Sequence, residues 1–312
     1  MEIIKHDVAK EINYFDLEKF VNKIKLNRNV LEHMQETNLN FDKYFKNLAK
    51  YDDEFQLYFW ISLAYDEIKN NNFVENHKFK DFDLTEKNLF FDSLNISNNR
   101  IHNIHKFVMK DQDDYYRAGK YRTTEVKVSN IEEDREEIFW YGAKAKDLKQ
   151  FMNSFIKIYK SNSMSVIDSN PFLKSALIHL LFVKIHPYHD GNGRTARTLH
   201  NIKFTEILNR IYKMNLKICP VNLSESININ LISYVKALDN IYFDLDHDNN
   251  EILNYWFDFI LNMYDEQLFS KQAMIDDMEN VMERIIKIKE RMNQDFAKKI
   301  QKIRIRNWYL SF

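Results

Sequence analysis

Apolar residues recur three and four positions apart through most of this chain of 312 residues, which is the spacing of one face of an α-helix. The chain holds only four glycines and three prolines, so few helix-breaking residues interrupt the pattern. Residues 12–70 predict several helices, the last of which Asp52-Asp53 could cap. Its apolar face would include Phe55, Phe59 and Leu63. The pattern as a whole predicts a mostly helical protein.

A short β-hairpin is predicted between two groups of helices. Residues 123–128 alternate as a strand does, and residues 137–141 could pair with them. The charged residues 130–136 would then form the hairpin loop. The Asn-rich residues 70–115 predict short helices and loops. Further helices are predicted over the following ranges: 145–159, 171–185, from just after 193 to about 212, and two within 224–265.

The C-terminal stretch has a different period. Apolar residues there repeat at alternating steps of four and three, which is heptad spacing: Met274, Met278, Val281, Ile285, Ile288 and Met292. Because fewer than three full heptads are covered, the repeat indicates either a helix packed on the body of the same chain or an intermolecular coiled coil. From Arg284 to Arg306, nine Lys or Arg accompany two Asp or Glu. This excess indicates either a solvated basic face or a nucleic-acid contact.

The composition narrows the class of protein. With 45% hydrophobic and 14% aromatic residues, the chain can bury a large core. The formal net charge is −1, so bulk electrostatics does not recruit nucleic acid, and no nucleic-acid partner is expected. A single cysteine, Cys219, excludes an internal disulfide and fits a reducing compartment. The chain starts without the apolar core of a signal peptide and contains no apolar stretch of about 18 residues. We expect a cytoplasmic protein with no membrane partner, although a secreted effector stays open.

One run of twelve residues, 186–197, concentrates the unusual residues of the chain. It reads His-Pro-Tyr-His-Asp-Gly-Asn-Gly-Arg-Thr-Ala-Arg and holds two of the four glycines and one of the three prolines. Glycines let the backbone approach a ligand and turn its N–H groups inward. Arg194 and Arg197 lie on one face if a helix follows the loop. Loop amides at a helix N-terminus, backed by arginines, predict a site for a polyphosphate.

This run resembles the signature of the Fic family (filamentation induced by cyclic AMP), His-Pro-Phe-x-Asp/Glu-Gly-Asn-Gly-Arg-x-x-Arg, with Tyr188 in place of Phe. The apolar residues 176–185 resemble the helix that leads into the motif. Gly119-Lys120-Tyr121-Arg122 resembles the start of the family's flap. The resemblance covers about residues 60–265 and implies an all-α, Fic-type helical bundle with a β-hairpin flap over the active site. The implied parts are residues 1–80 as an N-terminal helical region with an inhibitory helix, 81–265 as the Fic core, and 266–312 as a C-terminal helical extension.

The resemblance also implies an activity. The family transfers a nucleoside monophosphate, usually AMP from ATP, to a Ser, Thr or Tyr hydroxyl of a target protein. We therefore expect an Mg²⁺-dependent protein adenylyltransferase with ATP as the donor. His186 would be the general base and Asp190 the Mg²⁺ ligand. The anion site would consist of the other motif residues: Gly191, Asn192, Gly193, Arg194 and Arg197.

Three further features bear on substrates. Doc-like members, which phosphorylate, carry Lys where this chain has Gly193, so the glycine favours nucleotide transfer. Tyr234 and Leu238 resemble the pair that lines the adenine pocket, although ordinary core packing explains them equally well. The target protein would pair with the flap, which would begin near Thr123 and end near Tyr141, by β-augmentation. Self-modification and a homo-oligomer stay open.

A built-in inhibitor is implied by residues 71–76, Asn-Asn-Phe-Val-Glu-Asn. They resemble the inhibitory pattern Ser/Thr-x-x-x-Glu-Gly/Asn, with Asn71 in place of Ser or Thr. In the class with an N-terminal inhibitory helix, the glutamate pairs with the second arginine of the motif. Glu75 would therefore pair with Arg197 and keep it from the γ-phosphate. The alternative is an ordinary exposed loop.

Rival interpretations of the same residues stay open. His186, His189 and His179 could form a metal cluster, but a structural zinc site has no use for the glycines or arginines. With Glu75 engaged, the same site could remove AMP from a modified target. A non-catalytic interaction module is a third interpretation, against which the intact run at 186–197 argues, because a binding scaffold does not need a base.

Overall fold

The computed structural model describes residues 17–74, 96–110, 112–132, 135–163, 165–213, 219–239 and 249–277, with single positions at 216, 241, 280, 283, 284, 287 and 288. Within these residues the protein is helical, with one two-stranded antiparallel sheet. This confirms the predicted helical bundle with a β-hairpin.

The helices of the described residues form an N-terminal group before the hairpin, two helices that lead into a central pair, and a C-terminal group. The first group is α1 (Leu17–Asn22), α2 (Arg28–Leu48), α3 (Asp53–Phe73) and α4 (Asn98–Val108). After the hairpin come α5 (Leu148–Lys160), α6 (Val166–Ser169) and the central pair α7 (Pro171–Ile185) and α8 (Asn192–Ile211). The last group is α9 (Leu223–Ile229), α10 (Leu231–Asp239) and α11 (Asn250–Asp276).

The start of α3 follows the sequence prediction. The Asp52 side chain accepts a hydrogen bond of 2.8 Å from the Phe55 main-chain N–H, which satisfies one of the N–H groups that the first turn leaves unpaired. Phe55, Phe59 and Leu63 are buried, as their spacing predicts. Capping and burial together hold α3 against α8 and α9.

Helix α7 lies at the centre of the core. All 15 of its residues are buried, which is the pattern of a helix surrounded by protein on every side. The Trp256 indole of α11 donates a hydrogen bond of 3.1 Å to the Ala176 carbonyl, so the long C-terminal helix packs directly on α7. Because α7 is enclosed, its C-terminal end is fixed in space, and the residue that follows it is His186.

The hairpin is longer than its predicted strands. Strands β1 (Lys127–Glu132) and β2 (Arg135–Tyr141) pair antiparallel, with Glu132 opposite Arg135. The prediction of a loop over residues 130–136 was therefore wrong for residues 130–132 and 135–136, because strands pair through main-chain groups, which charged residues also carry. Residues 123–126 precede the strand instead of opening it.

The C-terminal part departs from the prediction of two helices within residues 224–265. Three helices fall there, and α11 continues through residue 265 to Asp276. Most of the heptad positions lie outside the described residues. The heptad residue Ile288 packs on the core, and its neighbour Arg284, which is not a heptad position, pairs with Asp66 of α3. Within the described part of the chain, no helix is long and apolar enough to cross a membrane.

A histidine joins the first and last long helices. His33 of α2 lies between two carboxylates of α11, with Nδ1 2.6 Å from Asp258 and Nε2 2.9 Å from Asp265. A carboxylate only accepts hydrogen bonds, so both contacts are best made by the doubly protonated ring. Burial would lower the pKa of His33, but the hydrogen bonds and charges of Asp258 and Asp265 outweigh it and raise the pKa above 6.5.

This raised pKa predicts a pH dependence of stability. A group whose pKa is higher in the folded state stabilises the fold fully below its unfolded pKa, about 6.5, and this contribution is lost as the pH rises through the folded value. We expect His33→Asn to lower the free energy of unfolding by about 1–3 kcal/mol at pH 6 and by less at pH 9. Urea denaturation of the wild type and His33→Asn at pH 6 and at pH 9 measures the loss of unfolding free energy. The effects of other titrating groups cancel when the two proteins are compared at one pH. An equal loss at the two pH values would contradict the charged bridge.

Candidate active site

The loop between α7 and α8 begins at a residue in an unusual conformation. His186 has φ 53° and ψ 59°, the left-handed region that non-glycine residues seldom adopt. Its main-chain N–H still donates to the Phe182 carbonyl at 3.0 Å, so His186 is the C-terminal cap of α7. The left-handed turn reverses the chain directly after the buried helix and brings residues 187–191 back toward α4.

The imidazole of His186 is oriented by the helix that it caps. Its Nδ1 lies 3.2 Å from the Val183 carbonyl oxygen. Because a carbonyl only accepts, Nδ1 carries the hydrogen, and the lone pair of the neutral ring is on Nε2. The ring is partly exposed. His186 therefore presents the nitrogen that a general base needs.

Gly191 connects the loop to α8 by a second left-handed residue, with φ 72°. A Cβ at this position would lie 2.6 Å from the Met109 sulfur and 3.2 Å from His105 Nε2, so only glycine fits. Helix α8 then begins at Asn192. The N–H groups of its first turn face the loop, and the helix dipole favours an anion there. The predicted anion site thus coincides with a real helix N-terminus.

The Asn192 side chain shapes this loop. Its amide oxygen accepts from the Tyr188 main-chain N–H and its amide nitrogen donates to the Tyr188 carbonyl, each at 2.9 Å. The side chain is buried. In this structure the amide of Asn192 therefore holds the loop closed, and its contribution to an anion site lies in the main chain.

Two histidines of α4, which the sequence analysis missed, support the loop. His102 Nδ1 is 2.8 Å from the Tyr188 hydroxyl, and the His105 ring stacks on the Tyr188 ring with centroids 3.6 Å apart. His105 Nε2 donates to the Asp190 carbonyl at 2.8 Å, while Nδ1 accepts from the Gly119 N–H at 2.9 Å. Burial lowers the pKa of His105 to about 4, so the ring is neutral, as these bonds require. The signal in the sequence was the pair at i and i+3 on one helix face.

Asp190 is the one carboxylate of the motif loop, and its side chain is 43% exposed. One oxygen accepts from the Gly191 N–H at 2.6 Å and the other pairs with Arg194 Nη2 at 3.1 Å. Mg²⁺ is commonly held by one or two carboxylates together with substrate phosphates and water. No group of three His, Cys, Asp or Glu suited to a metal occurs in the described part of the chain. The residues present therefore fit Mg²⁺ only when phosphate oxygens share it.

Both arginines of the motif are buried and bonded to protein groups. Arg194 Nη1 donates to the Val108 carbonyl at 3.1 Å, in addition to its pairing with Asp190. Arg197 Nε donates to the Asn71 side-chain oxygen at 2.6 Å, and its Nη2 donates to the Asn71 carbonyl at 3.1 Å. The last turn of α3 thus contacts the second arginine.

Helix α3 is anchored in this position by a buried carboxylate one turn earlier. Glu67 accepts from Asn201 Nδ2 at 2.8 Å and from the Ser224 N–H at 3.0 Å. Burial raises the pKa of Glu67, although these bonds and the charge of Arg197 oppose the rise. Glu75, the predicted partner of Arg197, lies outside the described residues.

The remaining predicted residues lie apart from the loop or in the core. Tyr234 and Leu238 of α10 are buried, and the Tyr234 hydroxyl is 2.8 Å from His179 Nε2. His179 is thereby engaged inside the core, which does not favour a metal cluster with His186. Thr123 precedes the hairpin and Tyr141 ends it, with the Tyr141 side chain 40% exposed.

Part of this chain is similar to known proteins. Residues 95–202 match the model of the Fic/DOC family. The chain is 39% identical over 84 residues to the protein adenylyltransferase Fic of Nematostella vectensis, covering 27% of this chain and 17% of that protein. It is 32% identical over 107 residues to the protein adenylyltransferase fic-1 of Caenorhabditis elegans, covering 34% and 19%. The chain thus matches less than a fifth of the length of these curated relatives.

A solved structure extends the likeness of fold. A Fic family protein from Desulfovibrio desulfuricans G20 superimposes with a TM-score of 0.54 at 14% identity. The superposition covers 80% of this chain and 76% of that chain. At this level of identity the comparison shows a shared fold alone.

The contact between Tyr188 and His102 can be tested by a double-mutant cycle. Tyr188→Phe removes a buried hydroxyl and its hydrogen bond, so it should lower the free energy of unfolding by about 0.5–1.5 kcal/mol. In a His102→Ala chain, the same change should cost less, because the partner is already gone. Urea denaturation of the four chains measures the coupling. Equal costs in both backgrounds would show that this hydrogen bond does not stabilise the loop.

Proposed function

We propose that this chain, whose residues 95–202 match the model of the Fic/DOC family, is an Mg²⁺-dependent protein adenylyltransferase. It would move AMP from ATP to a Ser, Thr or Tyr hydroxyl of a target protein. The observation that supports this most is the loop after α7, where His186 Nε2, the Asp190 carboxylate and the N-terminus of α8 follow one another within a few residues. Such an arrangement suits a base beside a bound polyphosphate.

In the proposed reaction, His186 Nε2 accepts the proton of the target hydroxyl. The hydroxyl oxygen attacks the α-phosphorus of ATP, and the bond from that phosphorus to the bridging oxygen breaks as pyrophosphate leaves in line. Mg²⁺, when bound, neutralises phosphate charge next to Asp190. The main-chain N–H groups of Gly191, Asn192 and Gly193 would bind phosphate oxygens at the start of α8.

The two arginines take different parts in this proposal. Arg194 holds the Asp190 carboxylate in place, since the two are already paired. Arg197 would bind the γ-phosphate once α3 releases it. Tyr234 and Leu238 would line the adenine pocket from α10. Gly193, where the phosphorylating members carry Lys, favours nucleotide transfer.

We propose that the end of α3 inhibits the enzyme at rest. Arg197 is bonded to Asn71 in the last turn of α3, and Glu75 follows four positions later in the sequence. A carboxylate that pairs with Arg197 would occupy the guanidinium and repel a phosphate. Close unit charges interact with about 4 kcal/mol at an effective dielectric of about 20. Such an inhibitor could suppress productive binding of ATP.

The target segment would pair with the hairpin. We expect this to take place in the cytoplasm, because the single free cysteine, Cys219, fits a reducing compartment. Exposed tyrosines such as Tyr115 and Tyr116 would be available for self-modification.

The occupied Arg197 also favours a second candidate function, removal of AMP from a modified target, because this reaction does not need a γ-phosphate site. Release of AMP from a modified target, without transfer from ATP, would identify it.

The transfer reaction is tested by following each phosphate of ATP. With α-labelled ATP and Mg²⁺, label should appear on protein, whereas γ-labelled ATP should leave protein unlabelled. His186→Ala should reduce α-label transfer by roughly 10²–10⁴-fold, because the base is lost. His189→Ala, an exposed neighbour, is the matched control and should transfer normally. Protein that carries the γ-label would show phosphorylation instead.

The inhibitory contact is tested by removing the carboxylate. Glu75→Gly should raise α-label transfer more than roughly tenfold, which corresponds to about 1.4 kcal/mol. Adding Arg197→Ala should abolish most of this gain, since the released arginine is gone. Asn71→Ala, which removes the acceptor of Arg197 Nε, should give a smaller rise. Flat activity in Glu75→Gly with excess ATP and Mg²⁺ would contradict the inhibitory role.

A further inference from the structure

Arg122 lies between the hairpin and the loop that carries His186. Its side chain is fully buried and donates from Nε to the His186 carbonyl at 2.8 Å. Nη1 donates to the Thr124 carbonyl at 2.7 Å, and Nη2 donates to the Ala143 carbonyl. The main-chain N–H of Arg122 donates to the Pro187 carbonyl at 3.0 Å. One residue thus joins the entry of the hairpin, its exit and the catalytic loop.

The carbonyl contacts, more than the nearby charge, fix the guanidinium. The Glu125 carboxylate is 3.8 Å from Nη1, and its side chain is 66% exposed, so solvent weakens this ion pair. The three carbonyl bonds match the planar fork of the guanidinium, whose five N–H donors have fixed directions. A lysine has one nitrogen and cannot reach three carbonyls of separate segments at once.

The hydrogen bond from Arg122 Nε is made to His186, a residue whose backbone conformation is unfavourable. A left-handed backbone is unfavourable for a non-glycine residue and persists where the surroundings over-determine it. Here the N–H of His186 is held by Phe182 and its carbonyl by Arg122. Both peptide groups next to the His186 Cα are therefore restrained, which fixes the direction in which the imidazole leaves the backbone.

The exit of the hairpin is packed against the same two residues. A Cβ at Gly142 would lie 2.9 Å from Arg122 Nη2 and 3.0 Å from the His186 Cβ. The Ala143 N–H donates to the Ile185 carbonyl at 2.9 Å, one residue before His186. This close approach explains the glycine at position 142, and it leaves the hairpin little freedom relative to His186.

From these contacts we infer that Arg122 is a positioning residue, which holds His186 in its left-handed conformation and sets the hairpin at a fixed place relative to the base. The inference rests on the proposed function, in which the hairpin presents the target hydroxyl to His186. The Arg122 side chain bonds to the carbonyls of Thr124, Ala143 and His186, which belong to the two ends of the hairpin and to the proposed base. Its loss should therefore reduce the rate of transfer while nucleotide binding is preserved.

The experiment uses Arg122→Gln and Arg122→Lys in the more active of the wild-type and Glu75→Gly chains. We expect kcat for α-label transfer to fall by roughly 10–100-fold in Arg122→Gln, since misplacement by about 1 Å can cost this much. The KM for ATP should change less than about twofold, and Arg122→Lys should recover little. Arg117→Gln, an exposed arginine just before the hairpin, is the matched control with normal kcat. An unchanged kcat, or a loss confined to the KM for ATP, would overturn the inference.

A second measurement does not depend on activity. Hydrogen exchange followed by mass spectrometry should show faster exchange in Arg122→Gln for peptides spanning 123–141 and 183–190, with α11 unchanged. If the parent chain transfers no label, the proposed function fails, and exchange alone decides whether Arg122 holds the two segments. Unchanged exchange in both peptides would overturn the positioning role. If exchange rises in all peptides of Arg122→Gln, that variant is unfolded. The same two peptides are then compared in Arg122→Lys, which keeps the buried charge, and this comparison decides the positioning role.

Discussion

The candidate site depends on the complete burial of α7. A helix packed on every side cannot shift or rotate without opening the core, so its C-terminal residue has one position. His186 occupies that position, and its left-handed backbone turns the chain back toward α8. Gly191 makes the second left-handed turn, and the N-terminus of α8 then faces the loop. The packing of α7 in the core therefore sets the positions of the proposed base and the proposed anion site.

Buried charge determines the state in which the site rests. A guanidinium removed from water must be hydrogen-bonded, because an unpaired buried charge is costly. Arg194 meets this requirement with Asp190 and the end of α4, whereas Arg197 meets it with Asn71. In the proposed function, a phosphate at Arg197 would compete with this contact from α3.

Polar atoms around the loop are matched in the same way. The hydroxyl of Tyr188, which stands where the family has phenylalanine, would be costly to bury alone, and His102 supplies its partner. The amide oxygen and the amide nitrogen of Asn192 both bond to the main chain of Tyr188. The neutral ring of His105 stacks on the Tyr188 ring. These contacts join the loop to α4 on one hand and to the first residue of α8 on the other.

The sequence by itself determined the helical class, the limits of α7 and the cap of α3, and it pointed to the candidate site. These follow from local rules: apolar period, capping residues and the clustering of glycine and arginine in residues 186–197. It could not determine the extent of the hairpin, because strands pair through main-chain groups and do not need an apolar pattern. Nor could it show that Asn71 meets Arg197 or that Arg122 meets His186. Those residues are far apart in the chain, and only the packing of α3 and the hairpin against the central helices brings them together.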